Sequence, residues 1–290
     1  WNAMIDRKPA LIAMCTNTAD VKLAVDFARE HQLLTAVHGG GHNIAGNAVC
    51  DGGFMINLSQ INAVKVDPNA QTASAGPGAT LGDFDAATLK YGLATPVGIN
   101  STTGIAGLTL GGGFGWLSRK YGLTVDNVTG VEIVTADGQV IEANDNSHPD
   151  LFWAVRGGGG NFGVVTRFDY KLHKVGPDLL SGLVVFAESE ISSALRKYRE
   201  LTTTLSENTS VWVVLRQAPP FPFLPEKSHG KNVVVFAMCH TGETAEGEAM
   251  LEKLRSFGDV LGEHAGVMPF VEWQQAFDPL LTPGARNYWK

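Results

Sequence analysis

Along the first 175 residues the apolar positions come in short bursts of strand length, and glycine rather than polar surface breaks them up. Pro9 to Cys15 (P-A-L-I-A-M-C) has the length of a buried strand. Thr18 is placed to N-cap a helix through about His31, with Val21, Ala24 and Ala28 at helical spacing and Leu23 and Phe27 beside them. Leu33 to Val37 returns as a strand. Phe54–Leu58, Ala63–Val66 and Thr72–Ala75 read as further short strands, with Asp67-Pro68-Asn69 as a turn. Thr80 with Asp83 three residues on forms a capping box, opening a helix that Gly92 ends. Val131 to Glu142 reads as a hairpin around Asp137-Gly138, Asp150–Val155 as a short helix and Val164–Leu172 as a strand. Near Gly176-Pro177 the texture changes. The glycine clusters stop and longer alternating segments follow: strand Leu183–Phe186, helix Glu190–Leu205, strand Val211–Leu215, a proline-rich loop Pro219–Pro225, strand Asn232–Cys239 and helix Glu243–Phe257. This places a domain boundary close to residue 176.

Three stretches resist any periodic reading. They are Val37–Gly46 (V-H-G-G-G-H-N-I-A-G), Gly104–Gly115 and Gly157–Gly163. The consecutive Gly39, Gly40 and Gly41 oppose helix formation, because glycine loses most backbone freedom on ordering. What they permit is a tight loop with bare N–H groups that a phosphate can approach closely. One such loop reads most simply as a tight turn between strands. Three of them, beside β-branched strands and the hydroxyls of Ser101, Thr102, Thr103 and Thr109, favour the walls of one site for a phosphate-bearing cofactor.

Composition narrows the choice. At 44% hydrophobic and 18% charged residues the chain is of the soluble globular kind, with 290 residues to bury a core. The net charge of -7 and the lack of any basic stripe argue against nucleic acid and anionic membrane as partners. Cys15, Cys50 and Cys239 are far apart and odd in number, so neither a disulfide framework nor a CxxC metal site is suggested. No apolar run reaches membrane-spanning length and no signal peptide is visible. Cytoplasmic localisation is therefore favoured. The chain starts at Trp1 without methionine and stops just after Tyr288-Trp289, so it reads as a piece of something longer and a cleaved leader stays open.

Other motifs are set aside on physical grounds. Gly158–Gly163 matches G-x-G-x-x-G, but a helix precedes it and a strand follows, the reverse of the dinucleotide fingerprint. His38 and His42 are four apart outside any helix, without a third ligand nearby, so no metal is expected. No G-x-S-x-G elbow supports a hydrolase, and Asp126 and Asp150 read as turn and cap residues rather than an acid–base pair.

The run from about Pro9 to Val175 resembles the FAD-binding domain of the vanillyl-alcohol oxidase / PCMH superfamily, specifically the berberine-bridge-enzyme-like oxidoreductases. The segments that carry the resemblance are V-H-G-G-G-H-N-I-A-G, G-I-N-S-T-T-G-I-A-G-L-T-L-G-G-G-F-G and F-W-A-V-R-G-G-G-G-N-F-G-V-V-T, in the family's order. The remainder to Lys290 is similar to the start of the family's substrate domain. The resemblance implies an α+β fold: a PCMH-type FAD-binding domain over 1–176, then a truncated antiparallel-sheet substrate domain covered by helices over 177–290. It implies FAD as cofactor, with Gly39, Gly40, Gly41, His42 and Asn43 wrapping the pyrophosphate and His42 bonded to the 8α carbon of the ring. Pro96, Gly98, Asn100, Ser101, Thr102, Thr103, Gly104 and Gly107, with Gly111, Gly113 and Gly115, would line pyrophosphate and ring, and Gly163 and Val165 would meet the adenosine half. The catalytic residue stays unassigned, because the family's catalytic tyrosine is expected beyond Lys290.

Two departures from the family matter. His38 stands where the family usually has Arg, which would make a fixed positive charge near the phosphates titratable. Asn100 stands where doubly linked members have Cys, and Asn forms no thioether, so a single covalent link through His42 is expected. Thr103 holds the position that governs oxygen access in the family, and its size, near that of Val, favours an oxidase. The implied activity is removal of a hydride from a hydroxyl- or amine-bearing carbon of a small molecule, a sugar or secondary metabolite, with O2 reduced to H2O2. A dehydrogenase using another acceptor, or a flavin-binding fragment without turnover, are the alternatives. As a piece, the second domain is expected to leave unpaired sheet edges and to expose Phe270, Trp273, Phe277 and Trp289.

Overall fold

A computed structural model describes residues 1–287. The chain divides into two compact units, one formed by Trp1–Val175 together with the described residues from Gln274 on, the other by Gly176–Trp273.

The first unit holds two sheets. The smaller is parallel, with Phe54–Asn57 between Leu11–Met14 and Thr35–His38. The larger is an antiparallel five-stranded sheet in the order Val64–Asp67, Thr72–Ala75, Val164–Lys171, Val128–Val134, Val140–Ala143. The helix Thr18–Glu30 buries Val21, Ala24, Val25 and Ala28, the face its spacing predicts. Its cap is Asn17 rather than Thr18: the Asn17 side chain accepts the Asp20 amide at 3.0 Å, and the Thr18 hydroxyl instead donates to Glu132 at 2.5 Å. At the helix Leu81–Thr88 both arms of the predicted capping box form, the Asp83 amide donating to Thr80 Oγ1 and the Thr80 amide to Asp83. Gly92 then closes the following turn in the left-handed region. Phe84, Phe152, Phe168 and Tyr170 anchor the core beneath the large sheet.

The second unit is an antiparallel sheet in the order Thr209–Gln217, Asn232–His240, Asp178–Ala187, Val260–Pro269. Helices Ile191–Thr202 and Thr244–Arg255 cover one face, where Val184, Phe186, Phe236, Met238, Leu251 and Leu254 form the core. Strands alternate their side chains, so Val185, Val233 and Val235 point the other way and meet Phe221, Phe223 and Leu224 of the proline-rich loop. The edge strand Val260–Pro269 had no clear periodic signal, because its residues are half exposed along most of their length.

The end of the chain departs from expectation. Residues from Gln274 on group with the first unit instead of completing 177–290 as one domain. Gln274 Nε2 donates to Asp85 at 3.0 Å, the Ser101 amide to Asp278 at 2.8 Å, and the Ala3 amide to the Ala285 carbonyl at 2.9 Å. Phe270 and Trp273 are buried rather than exposed. Phe270 opens the helix Phe270–Gln275, its amide held by the Pro177 carbonyl at 2.8 Å. Phe277 packs against Trp116, ring centroids 5.9 Å apart. Trp289 lies outside the described residues.

Candidate cofactor site

The parallel strand Thr35–His38 delivers the chain into the first glycine loop, and the loop closes on the second by direct backbone contact. A Cβ on Gly40 would fall 2.4 Å from Gly104 N and Cα, so only two glycines allow this approach. The second stretch is held from below as well. The Leu81 amide donates to the Thr103 carbonyl and the Ile105 amide to the Ala79 carbonyl, each at 2.9 Å. From there the chain turns into a short helix, Ile105–Leu110, that its glycine content did not predict. Thr109 Oγ1 pins this helix to the core through the buried Tyr170 hydroxyl at 2.8 Å. The third loop keeps the order helix, loop, strand (Pro149–Val155, then Val164–Lys171), and its Gly159 amide donates to the Leu110 carbonyl at 2.9 Å.

The three loops enclose one cavity of about 550 Å³, within the usual size range of ligand sites. Of the expected site residues, Gly39, Gly40, Gly41, His42, Asn43, Thr103, Gly104, Gly107, Gly111, Gly163 and Val165 line it. Pro96, Gly98, Asn100, Ser101, Thr102, Gly113 and Gly115 do not. Pro96 is buried, and a Cβ on Gly115 would sit 1.8 Å from the Val97 carbonyl, which makes that glycine a packing requirement. Asn100, Ser101 and Thr102 lie one layer back: Thr102 bonds His42, while both the amide and the hydroxyl of Ser101 donate to Asp278. The wall also includes Asn47, Ala48, Leu58, Gly159 and Gly160. Gly159 and Gly160 belong to a loop the glycine pattern had marked. Asn47 and Leu58 carry no pattern of their own, and only the fold brings them in.

His38 takes a different role from the one its position suggested. Its imidazole packs under Gly41, where a Cβ would come within 2.6 Å of Cε1, and it bonds the Ala48 backbone. Burial holds its pKa below the ordinary histidine value, so near neutral pH it is an uncharged brace and brings no positive charge to the loop. His38 is absent from the cavity wall.

Among the described residues His42 is the one ionisable side chain on that wall. Its Nε2 lies 2.8 Å from Thr102 Oγ1, its Nδ1 lies 3.4 Å from Thr103 Oγ1, and the Trp1 ring stacks on it at 4.4 Å. Burial pushes its pKa down to about 4, with Asp278 opposing. At neutral pH the ring is therefore uncharged and one nitrogen keeps a lone pair, the form in which imidazole is a nucleophile. Among the described residues no group of three or more His, Cys, Asp or Glu is arranged to hold a metal, and no helix is long and apolar enough to cross a membrane.

A cavity walled largely by glycine backbone and apolar side chains, with Asn43, Asn47, Thr103 and one neutral histidine on it, suits a flat cofactor that carries phosphate. The comparisons with known proteins specify which. Residues 9–144 match the family model described as an FAD binding domain. An FAD-linked oxidoreductase of Dictyostelium discoideum is 35% identical over 288 residues, covering 99% of this chain and 60% of the relative. The solved structure of 6-hydroxy-D-nicotine oxidase from Arthrobacter nicotinovorans superposes with a TM-score of 0.86 at 32% identity, over 97% of this chain and 60% of that one. A grass pollen allergen with glucose dehydrogenase activity gives 0.79 at 28%, over 97% and 55%. Residues 9–144 thus carry an FAD binding domain, the relatives the chain resembles are FAD-linked oxidoreductases, and its structural neighbours are flavoproteins of the vanillyl-alcohol oxidase and berberine-bridge-enzyme-like kind. The chain spans 55–60% of the length of these proteins.

The residues present fit FAD. At Gly107 and Gly160 an added Cβ would meet no atom within 4 Å, so glycine there keeps the cavity clear. The wall pairs those backbones with Val37, Leu58, Leu108 and Val165, an apolar surface suited to a flat ring system.

Proposed function

We propose that this chain is the flavin-binding part, with the beginning of the substrate domain, of an FAD-dependent oxidase that acts on a hydroxyl- or amine-bearing carbon of a small molecule and returns the electrons to O2. The observation that carries the reading is the convergence of three glycine loops and a neutral His42 on one cavity. Bound FAD supplies the redox chemistry, accepting a hydride from the substrate and passing two electrons to the acceptor. The chain's own work is to bind, orient and shield. Gly39–Asn43 line the cavity, where backbone amides would donate to a pyrophosphate, and Gly104, Gly107 and Gly111 let the cofactor lie against backbone. His42 tethers the ring through a single covalent bond, since Asn100 offers no thiol for a second. Thr103, on the cavity wall beside His42, is small enough to leave oxygen a path.

Reduction under anaerobic conditions tests the enzyme reading: bound flavin should bleach when sugars or cyclic amines are supplied to the natural full-length protein, and no bleaching across such a panel would contradict it. A dehydrogenase is the second reading, favoured by the likeness to a protein with glucose dehydrogenase activity. Stopped-flow reoxidation separates the two. Rapid return of the yellow form in air supports the oxidase, and Thr103→Leu should slow that step far more than reduction by substrate.

A further inference from the structure

The hydrogen bonds behind the cavity wall fix which nitrogen of His42 carries the ring proton, and Nδ1 faces the Thr103 hydroxyl at 3.4 Å. The Thr102 amide donates to Asn100 Oδ1 at 3.1 Å. A backbone N–H can only donate, so this atom of the Asn100 amide is the oxygen. The Thr102 hydroxyl lies 2.6 Å from the same oxygen. An amide oxygen only accepts, so the single hydroxyl proton points at Asn100. What Thr102 Oγ1 turns toward His42 Nε2, 2.8 Å away, is therefore a lone pair. Nε2 must carry the ring proton and Nδ1 must not.

We propose that Asn100 and Thr102 act together as positioning residues that hold His42 in its Nε2–H tautomer and so present Nδ1 as the nitrogen that bonds the flavin. This rests on the reading of His42 as the attachment point. It gives Asn100, 7% exposed and off the cavity wall, a task in place of the thioether it does not form. In the linking step the Nδ1 lone pair forms a bond to the 8α carbon. One C–H bond of the 8-methyl group breaks, and His42 gives up its Nε2 proton to water. The two hydrogens and two electrons released reduce one O2 to H2O2, leaving an oxidised, linked flavin. Asn100 Oδ1 accepts both Thr102 bonds and so fixes the orientation of the Thr102 hydroxyl, with its Nδ2 3.5 Å from the Leu281 carbonyl. The low pKa of His42 fits the same picture, because a second proton would cover the lone pair that this tautomer leaves on Nδ1.

The test has two readouts on the 290-residue chain. In flavin-free protein with 15N-labelled histidine, NMR should show His42 with Nε2 protonated and Nδ1 bare. Thr102→Val, which keeps the shape and loses the hydroxyl, should let both tautomers appear, and Thr102→Ser should restore the single one. On adding FAD in air, acid-stable flavin should form on Nδ1 in the unaltered chain, about tenfold more slowly in Thr102→Val, the effect of one hydrogen bond, and at the original rate in Thr102→Ser. Asn100→Ala should behave as Thr102→Val does. A proton on Nδ1 in the unaltered chain overturns the proposal, as does a Thr102→Val protein with unchanged tautomer and unchanged rate. A correct tautomer with flavin linked at another residue overturns the attachment reading instead, and with it the claim about Nδ1.

Discussion

The two units use their residues in opposite ways. In Gly176–Trp273 side chains make the structure: Phe186, Phe236 and Leu254 fill one face of a sheet, and the loop from Phe221 to Leu224 fills the other. In Trp1–Val175 the distinctive feature is where side chains are missing, at Gly40 against Gly104 and at Gly107 facing open space. The first pattern makes a scaffold that tolerates many sequences of similar volume. The second makes a cavity that a single methyl group can spoil. Where this chain leaves a side chain out tells more about its chemistry than where it places one.

Substitutions can break that contrast. The largest loss is expected from Phe236→Ala, at the centre of the second unit's core. Truncating a buried aromatic costs about 4 kcal/mol, and denaturant unfolding should show it while FAD uptake per folded molecule stays the same. Gly104→Ala should cost about 3 kcal/mol through overpacking, because the new methyl would lie 2.4 Å from Gly40 N. It should also abolish FAD retention, so binding and stability fall together.

Asp85 sharpens the contrast from inside the first unit. Its buried carboxyl is pushed up to about 7 by burial, with the Gln274 amide opposing. A folded-state value above the unfolded one means that the folded form holds the proton more tightly, so stability is greatest at low pH and falls as pH rises from about 4 through about 7. Asp85→Asn should flatten that fall and raise the melting temperature at pH 8, the gain disappearing near pH 4. Melting curves across the range check it.

The smallest effect on stability belongs to Gly107→Ala. Inside the helix Ile105–Leu110 alanine is favoured by about 1 kcal/mol, and no atom stands within 4 Å of the new methyl. Stability should hold or rise slightly while FAD affinity drops, as titration of flavin fluorescence would show. A variant that loses neither would mean the cavity floor is not where the cofactor lies.

The sequence made some of this legible and hid the rest for definite reasons. The helix Thr18–Glu30 could be read because its one buried face repeats at 3.6-residue spacing, and the strand Asn232–His240 because it is a continuous apolar run, buried on both faces. The capping box at Thr80 and Asp83 was equally plain, since both of its bonds are local. The helix Ile105–Leu110 was not, because glycine content argues against it and only tertiary bonds such as Thr109 to Tyr170 hold it in place. Buried Phe270 and Trp273 looked like orphans because their apolar character gave no hint of a helix packed at a chain return. Eleven expected residues of the cavity wall followed from the glycine loops and the family resemblance, whereas Asn47 and Leu58 reach the wall only through the tertiary fold. His38 is titratable, as its place suggested, but only the fold shows that it packs under Gly41, where burial lowers its pKa, and not on the cavity wall.

The central claim is that the glycine loops hold FAD and that His42 alone tethers it. Peptide mapping of acid-precipitated protein after incubation with FAD tests this most directly. The account predicts a yellow pellet in which the flavin mass sits on the peptide containing His42 and nowhere else, and a colourless pellet from His42→Ala. A colourless pellet from the unaltered chain, or flavin retained on any peptide of the His42→Ala protein, would contradict it.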